Sequence, residues 1–268
     1  MIYIVCALLD EARPLIDFYK LKHNRASKFS LYENKTIKLT LSGIGKIKSA
    51  IATTNLLQNI KNDDIVINIG LCATTNTHPI GTTLLIHQII DPSNKRSYYP
   101  EIYYEHPFVE SALTSFDQLV TTPHATAVDM EASGFFEATN SVIGNDRIAL
   151  FKIVSDHFEK KSFAQNEISL LIEKNIPKID TLLQKIVSNS QTKKSLLTQE
   201  ESQHITSIYE LFKLSQTQFH QLQTTYIEAK HGLSKSINAL KIFDVPIPKN
   251  KKEKSELFNT LLQKLKNI

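Results

Sequence analysis

The sequence predicts an α/β fold on a largely parallel sheet, followed by an all-α C-terminal appendage. Three observations carry this. A short continuous apolar run at 2–9 and mainly apolar runs at 65–69 and 148–154 suit strands buried on both faces. Helical stretches alternate with them, as in a parallel sheet covered by helices. Beyond about residue 190 the strand pattern stops and only helical periodicity is left.

In chain order, Asp10-Glu11 ends the first apolar run, and residues 12–21 take helical spacing through Leu15, Ile16 and Tyr19. Residues 36–41 alternate as a strand and lead into Ser42-Gly-Ile-Gly-Lys46, ahead of an amphipathic stretch at 47–60. The buried strand at 65–69 closes at Gly70, and 83–90 is a further β-like run. Residues 132–139 read as helix, 148–154 as strand, and 167–187 as a helix interrupted at Pro177. The polar segment 188–194 reads as a linker, which divides the chain into a body, 1–189, and a helical region, 190–268. In the latter, Thr198 with Glu201 and Ser215 with Gln218 form capping boxes. They precede Ile205, Ile208, Tyr209 and Phe212, and then Phe219, Leu222, Tyr226, Ala229, Leu233, Ile237 and Leu240. A last helix carries Leu257, Phe258, Leu261, Leu262 and Leu265.

Composition narrows the function. The 268 residues are 41% hydrophobic and 22% charged, globular values. No run reaches a membrane span and nothing at Met1 reads as a signal peptide, so no membrane partner is expected. Cys6 and Cys72 lie in apolar segments and suggest a reducing, cytoplasmic setting. Residues 1–189 hold 19 Lys and Arg against 20 Asp and Glu, whereas 190–268 hold 12 against 7. A near-neutral body argues against nucleic acid as its ligand. The basic helical region is expected to be a solvated surface, with a protein partner as its functional alternative. The nine histidines are dispersed and neither cysteine has a close partner, so neither metal nor cofactor is expected.

In open α/β sheets ligands bind beyond the carboxyl ends of the strands. Asp10-Glu11, Ser42-Gly-Ile-Gly-Lys46, residues 68–75 and Ser155-Asp156 fall there, while Asp129-Met-Glu131 opens a helix. Each has a structural reading: Ser155 or Asp156 as a helix cap, Glu131 or Glu11 as a first-turn carboxylate, Ser42-Gly43 as a tight turn. Each also has a functional one, in which Asp156 is a partly buried acid and the glycine turn approaches an anion.

Taken in order, five blocks resemble the nucleoside phosphorylase/nucleosidase superfamily, closest to the methylthioadenosine/S-adenosylhomocysteine nucleosidases. They are Ala7-Leu-Leu-Asp-Glu11, Ser42-Gly-Ile-Gly-Lys46, Val66-Ile-Asn-Ile-Gly70, Val128-Asp-Met-Glu-Ala132 and Val154-Ser-Asp156. The resemblance spans residues 1 to about 185 and implies a three-layer αβα sandwich that cleaves the N-glycosidic bond of purine nucleosides. It implies that Asp156 protonates the departing purine, oriented by Ser155, and that Glu11 activates water. Glu131 would take the ribose hydroxyls and Met130 would pack under the sugar. Ser42, Gly43 and Lys152 complete the expected substrate-binding set, and a homodimer is expected. Glu11 would repel phosphate, so hydrolysis is preferred to phosphorolysis. A degenerate, non-catalytic nucleoside-binding protein acting through its helical tail is the remaining alternative. The chain departs from the family pattern at Gly70-Leu-Cys-Ala-Thr74, at Lys152 in place of an arginine, and at His157-Phe-Glu159. The segment that stacks on the purine is shortened, with Phe108 and His124 as candidate replacements.

Overall fold

The computed structural model describes residues 1–61, 63–75, 77–159, 163, 166–195, 197–232, 248 and 250–266. It divides into two compact units, Met1–Val187 and Ser188–Ile268.

The first unit is built on a mixed ten-stranded sheet. Its parallel centre is β4 (Ile37–Leu41), β1 (Ile2–Cys6), β5 (Ile65–Ala73) and β10 (Ile148–Asp156). The apolar runs form these strands because both faces are covered; every residue of β1 is buried. β10 continues antiparallel to β6 (Thr83–Asp91), which pairs in parallel with β8 (Val109–Ser115), and that with β9 (Ala127–Asp129). β9 returns antiparallel to β5 through Ala73 and Val128, so these five strands close into a ring. β2 (Lys22–His23), β3 (Leu31–Glu33) and β7 (Arg96–Tyr98) extend the edges.

Two apolar clusters lie on the sheet. Ile4, Cys6, Ile67, Phe151 and Ile153 pack with α1 (Leu9–Phe18), α4 (Glu167–Glu173) and the start of α5 (Ile176–Ser195). Val5, Val66, Leu150 and Val154 pack with α2 (Lys46–Leu56) and α3 (Ala132–Asn140). Alternate residues of β10 thus serve opposite faces.

Several elements differ from the sequence reading. α1 begins at Leu9, so Glu11 lies inside its first turn. The amphipathic pattern at 47–60 does not mark the buried face of α2: Ile47 and Ile51 are exposed, while Ser49, Ala52, Thr53 and Leu56 face inward. The reason is close approach. A Cβ on Gly134 of α3 would stand 2.1 Å from the Lys46 carbonyl oxygen, so only small residues fit between these helices. The polar segment 188–194 is helical, continuing α5 to Ser195, and is no open linker. The interruption at Pro177 is real, with α4 ending at Glu173 and α5 starting at Ile176.

The second unit contains α6 (Gln199–Phe212), α7 (Gln216–Gly232) and α8 (Lys251–Lys266). Both capping boxes form: Thr198 and Glu201 exchange bonds at 2.6 and 3.2 Å, Ser215 and Gln218 at 3.0 and 3.2 Å. Ile205, Ile208, Phe212, Leu222, Tyr226, Phe258 and Leu261 share one core. Leu233, Ile237 and Leu240 lie outside the described residues. No helix among the described residues is long and apolar enough to cross a membrane.

Candidate functional site

The carboxyl ends of β1, β5 and β10 run side by side, and the end of β5 is the spine on which the candidate residues meet. Glu11 folds back from the first turn of α1. Its Oε2 accepts from the backbone N–H of Ala7 at 2.8 Å and of Leu8 at 3.0 Å, and its Oε1 accepts from Leu71 N–H at 3.1 Å. The side chain is 5% exposed. Burial raises its pKa and prevails over these three N–H groups and the Lys152 ammonium, which all favour the charged form.

Lys152 lies opposite Gly70 across the β5–β10 ladder. A Cβ at Gly70 would stand 3.2 Å from Glu11 Oε1 and 3.5 Å from Lys152 Nζ, so the bare α-carbon makes the room these two groups share. Lys152 Nζ lies 2.8 Å from Asp129 Oδ2, with both side chains almost wholly buried. Burial pulls the ammonium's pKa down, but the carboxylates of Asp129, Glu131 and Glu11 outweigh it, and Lys152 stays charged above its ordinary range.

Because β9 runs antiparallel to β5, the chain after Val128 is carried back toward Gly70. Asp129 is fixed by Ser115 Oγ at 2.8 Å and Ala132 N–H at 2.9 Å, so Asp129, not Glu131, caps α3. Glu131, at the N-cap position, instead turns its Oε1 to the N–H of Gly45, 2.9 Å away at the start of α2. It therefore serves the positive end of a different helix from the one it opens. Burial and the neighbouring Asp129 carboxylate push its pKa up to about 7, against Lys152 and the Gly45 N–H.

Ser155 is buried and its hydroxyl lies 2.8 Å from Asp156 Oδ2 and 3.1 Å from the Cys72 carbonyl. Asp156 Oδ1 accepts from Phe158 N–H at 2.9 Å. The helix-cap reading of Ser155-Asp156 is corrected: they end β10, and the next described helix, α4, has Asn166 at its N-cap. Glu11 meets β5 at Leu71 and Asp156 meets it at Ala73, two residues or about 7 Å along the strand.

Ser42 and Gly43 bind the β1 exit through backbone bonds of 2.9 Å each to Cys6 and Ala7, and the Ser42 hydroxyl is taken up by the Gly43 carbonyl. Met130 is half-buried between Asp129 and Glu131. Phe108 does not replace a stacking aromatic here. It packs edge-on to Phe151, 5.4 Å between centroids, in the cluster on the α1 and α5 side, opposite the Lys152 face. His124 is engaged with Thr126 and the ring of Phe116. A cleft of about 390 Å³ between 105–107 and α5 shares none of these residues.

Two residues stand in the candidate blocks without a role assigned to them from the sequence, Asp129 and Lys46. Asp129 had a signal: a lysine inside the apolar strand Phe151-Lys-Ile153 demands a buried counter-charge. Lys46 joins Asp91 at 2.8 Å and Asp117 at 3.0 Å, tying α2 to the ends of β6 and β8. Against the effect of burial, Lys46 and Ser93 hold Asp91 down at about 2. Among the described residues no three His, Cys, Asp or Glu side chains are grouped to hold a metal.

The fold is similar to that of solved 5′-methylthioadenosine and 5′-methylthioadenosine/S-adenosylhomocysteine nucleosidases. Among solved structures it is similar to the 5′-methylthioadenosine nucleosidase of Arabidopsis thaliana in apo form, with a TM-score of 0.58 and 17% identity over 69% of this chain and 95% of that one. The Campylobacter jejuni 5′-methylthioadenosine/S-adenosylhomocysteine nucleosidase matches with a TM-score of 0.55 and 14% identity over 69% and 98%. The Colwellia psychrerythraea enzyme in complex with adenine gives 0.51 and 16% over 70% and 94%. At these identities the likeness is one of fold. No family model matches the chain, and no curated protein does.

Proposed function

We propose that the first unit is a three-layer αβα nucleosidase that hydrolyses the N-glycosidic bond of a purine nucleoside, methylthioadenosine- or adenosylhomocysteine-like or modified, and that residues 190–268 are an all-α appendage. The observation that carries this is the meeting of Glu11 and Glu131 around the Lys152 ammonium, with the Ser155–Asp156 pair two residues further along the same strand end.

Cleavage of C1′–N9 builds positive charge on the ribose and negative charge on the purine. Asp156 gives its proton to the leaving base, with the Ser155 hydroxyl fixing the carboxyl's direction. Glu131 has one oxygen committed to Gly45 N–H, and its other oxygen accepts the ribose hydroxyls and faces the cationic sugar. Glu11, held by three N–H groups, orients and deprotonates water. Lys152 holds the carboxylates of Asp129, Glu131 and Glu11 together from below the site. The neighbours named above are nucleosidases, which supports hydrolysis. The exposed Ile44, Ile47 and Ile51 offer a second copy an apolar face, in keeping with a homodimer. Free, buried Cys6 and Cys72 suit a cytoplasmic setting.

The test is release of free purine from methylthioadenosine and related nucleosides without phosphate, abolished in Asp156→Asn with the fold retained. Strict phosphate dependence makes the protein a phosphorylase, and no turnover on any nucleoside overturns the reading.

A further inference from the structure

The ladder between β5 and β10 slips at its end. Val154 faces Cys72 and Asp156 faces Ala73, so Ser155 bulges out of register. Past the slip, Thr74 N–H donates to the Asp156 carbonyl at 3.2 Å. The next link is made by a side chain: His157 Nδ1 lies 3.0 Å from the Thr74 carbonyl oxygen. A carbonyl only accepts, so Nδ1 carries the proton in this contact. Phe158 then takes a left-handed φ of +67° while buried, a conformation that a bulky residue adopts only under constraint, and this turns its N–H onto Asp156 Oδ1. Thr74 is itself buried. Bulk at the turn after β5 and an imidazole after the acid are therefore parts of one arrangement.

We infer that His157 is a positioning residue: its Nδ1–H bond to Thr74 staples the turn after β5 to the strand end that carries Asp156, and so sets the direction of that carboxyl. The staple stands on the hydrogen bonds alone; only its consequence for proton transfer rests on the nucleosidase reading.

Steady-state kinetics on methylthioadenosine are paired with backbone amide exchange in the unliganded full-length chain. His157→Ala is expected to lower kcat about tenfold with KM within about twofold, a fraction of what a well-placed acid supplies. Exchange at Thr74 and Phe158 should quicken by about tenfold. His157→Asn puts an amide nitrogen where Nδ1 stood and should restore most of both, whereas His157→Gln, which replaces Nε2 instead, should not. If His157→Ala fails to fold, the Asn and Gln pair decides alone. Unchanged exchange with wild-type kcat overturns the staple, as does an Asn variant no better than Gln. If the wild type turns over no nucleoside, the functional reading falls and exchange at Thr74 and Phe158 alone judges the staple.

Discussion

Lys152 Nζ and Asp129 Oδ2 are 2.8 Å apart in a place where neither side chain exceeds 2% exposure. The pair is surrounded by further negative charge, since Glu131 and Glu11 both act on the same ammonium. Removing the cation leaves three carboxylates facing one another out of water. Lys152→Met is expected to cost about 3–5 kcal/mol of folding stability, the usual result of stranding a buried charge. Urea unfolding at neutral pH measures it. Adding Asp129→Asn should recover a large part of the loss, and a double variant as unstable as the single one would show that packing, not charge, holds this place.

The contact between α2 and α3 makes a separate prediction. A methyl group at Gly134 would meet the Lys46 carbonyl oxygen at 2.1 Å and its Cα at 2.9 Å, all backbone, which cannot swing aside. Gly134→Ala should therefore separate the helices and cost about 3 kcal/mol, the upper end of overpacking. The Gly45 N–H to Glu131 bond spans the same junction, so purine release should fall with stability. Urea unfolding with an activity assay on the same preparation checks both.

Which parts of this architecture could be read from the sequence follows from where the determining forces lie. β1 is an uninterrupted apolar run, and β5 and β10 are mainly apolar, broken inside by Asn68 and Lys152, because all three are covered on both faces, and that signal is local. β9 is three residues long and β2 two, too short for any periodicity, yet β9 closes the ring and delivers Asp129 and Glu131. The buried face of α2 was illegible because Ile47 and Ile51 point outward and the inward face is chosen by one glycine on another helix. In the site, the carboxylates were legible by type and position. Their arrangement was not: that Asp129 would cap α3 and Glu131 would reach across to α2 depends on the path of β9. The capping boxes at Thr198 and Ser215 were fully legible, since each is settled within four consecutive residues.

That locality predicts a contained effect in the second unit. Thr198 Oγ1 accepts from Glu201 N–H, and the Glu201 carboxylate is drawn further by Lys230 at 2.7 Å and Tyr226 at 3.0 Å. Thr198→Ala should cost about 1 kcal/mol, as cap removal commonly does. Amide exchange in the full chain should show the loss at the start of α6, leaving β1 and β5 protected as before. Loss of protection across the first unit would contradict it.

Glu131 sets a function against stability, and the sign can be worked out. Its folded pKa is raised from 4.5 to about 7, so ionisation is harder in the folded chain than in the unfolded one. Below about 4.5 the group is protonated in both states and costs nothing. As pH rises from there to 7 the unfolded chain gives up the proton first, and stability falls until the full cost is reached above 7. Glu131→Gln keeps an oxygen for the Gly45 N–H and removes the charge beside Asp129. It should melt above the wild type at pH 8, with the advantage gone near pH 4. Its kcat/KM should drop by about 10²-fold, because a neutral amide does little for a cationic sugar. In the wild type, kcat/KM should decline as pH falls below about 7, and the glutamine variant should lack the Glu131 part of that decline. A variant that melts below the wild type at pH 8 would show that Glu131 stabilises the fold in its charged form and that its burial carries no such cost.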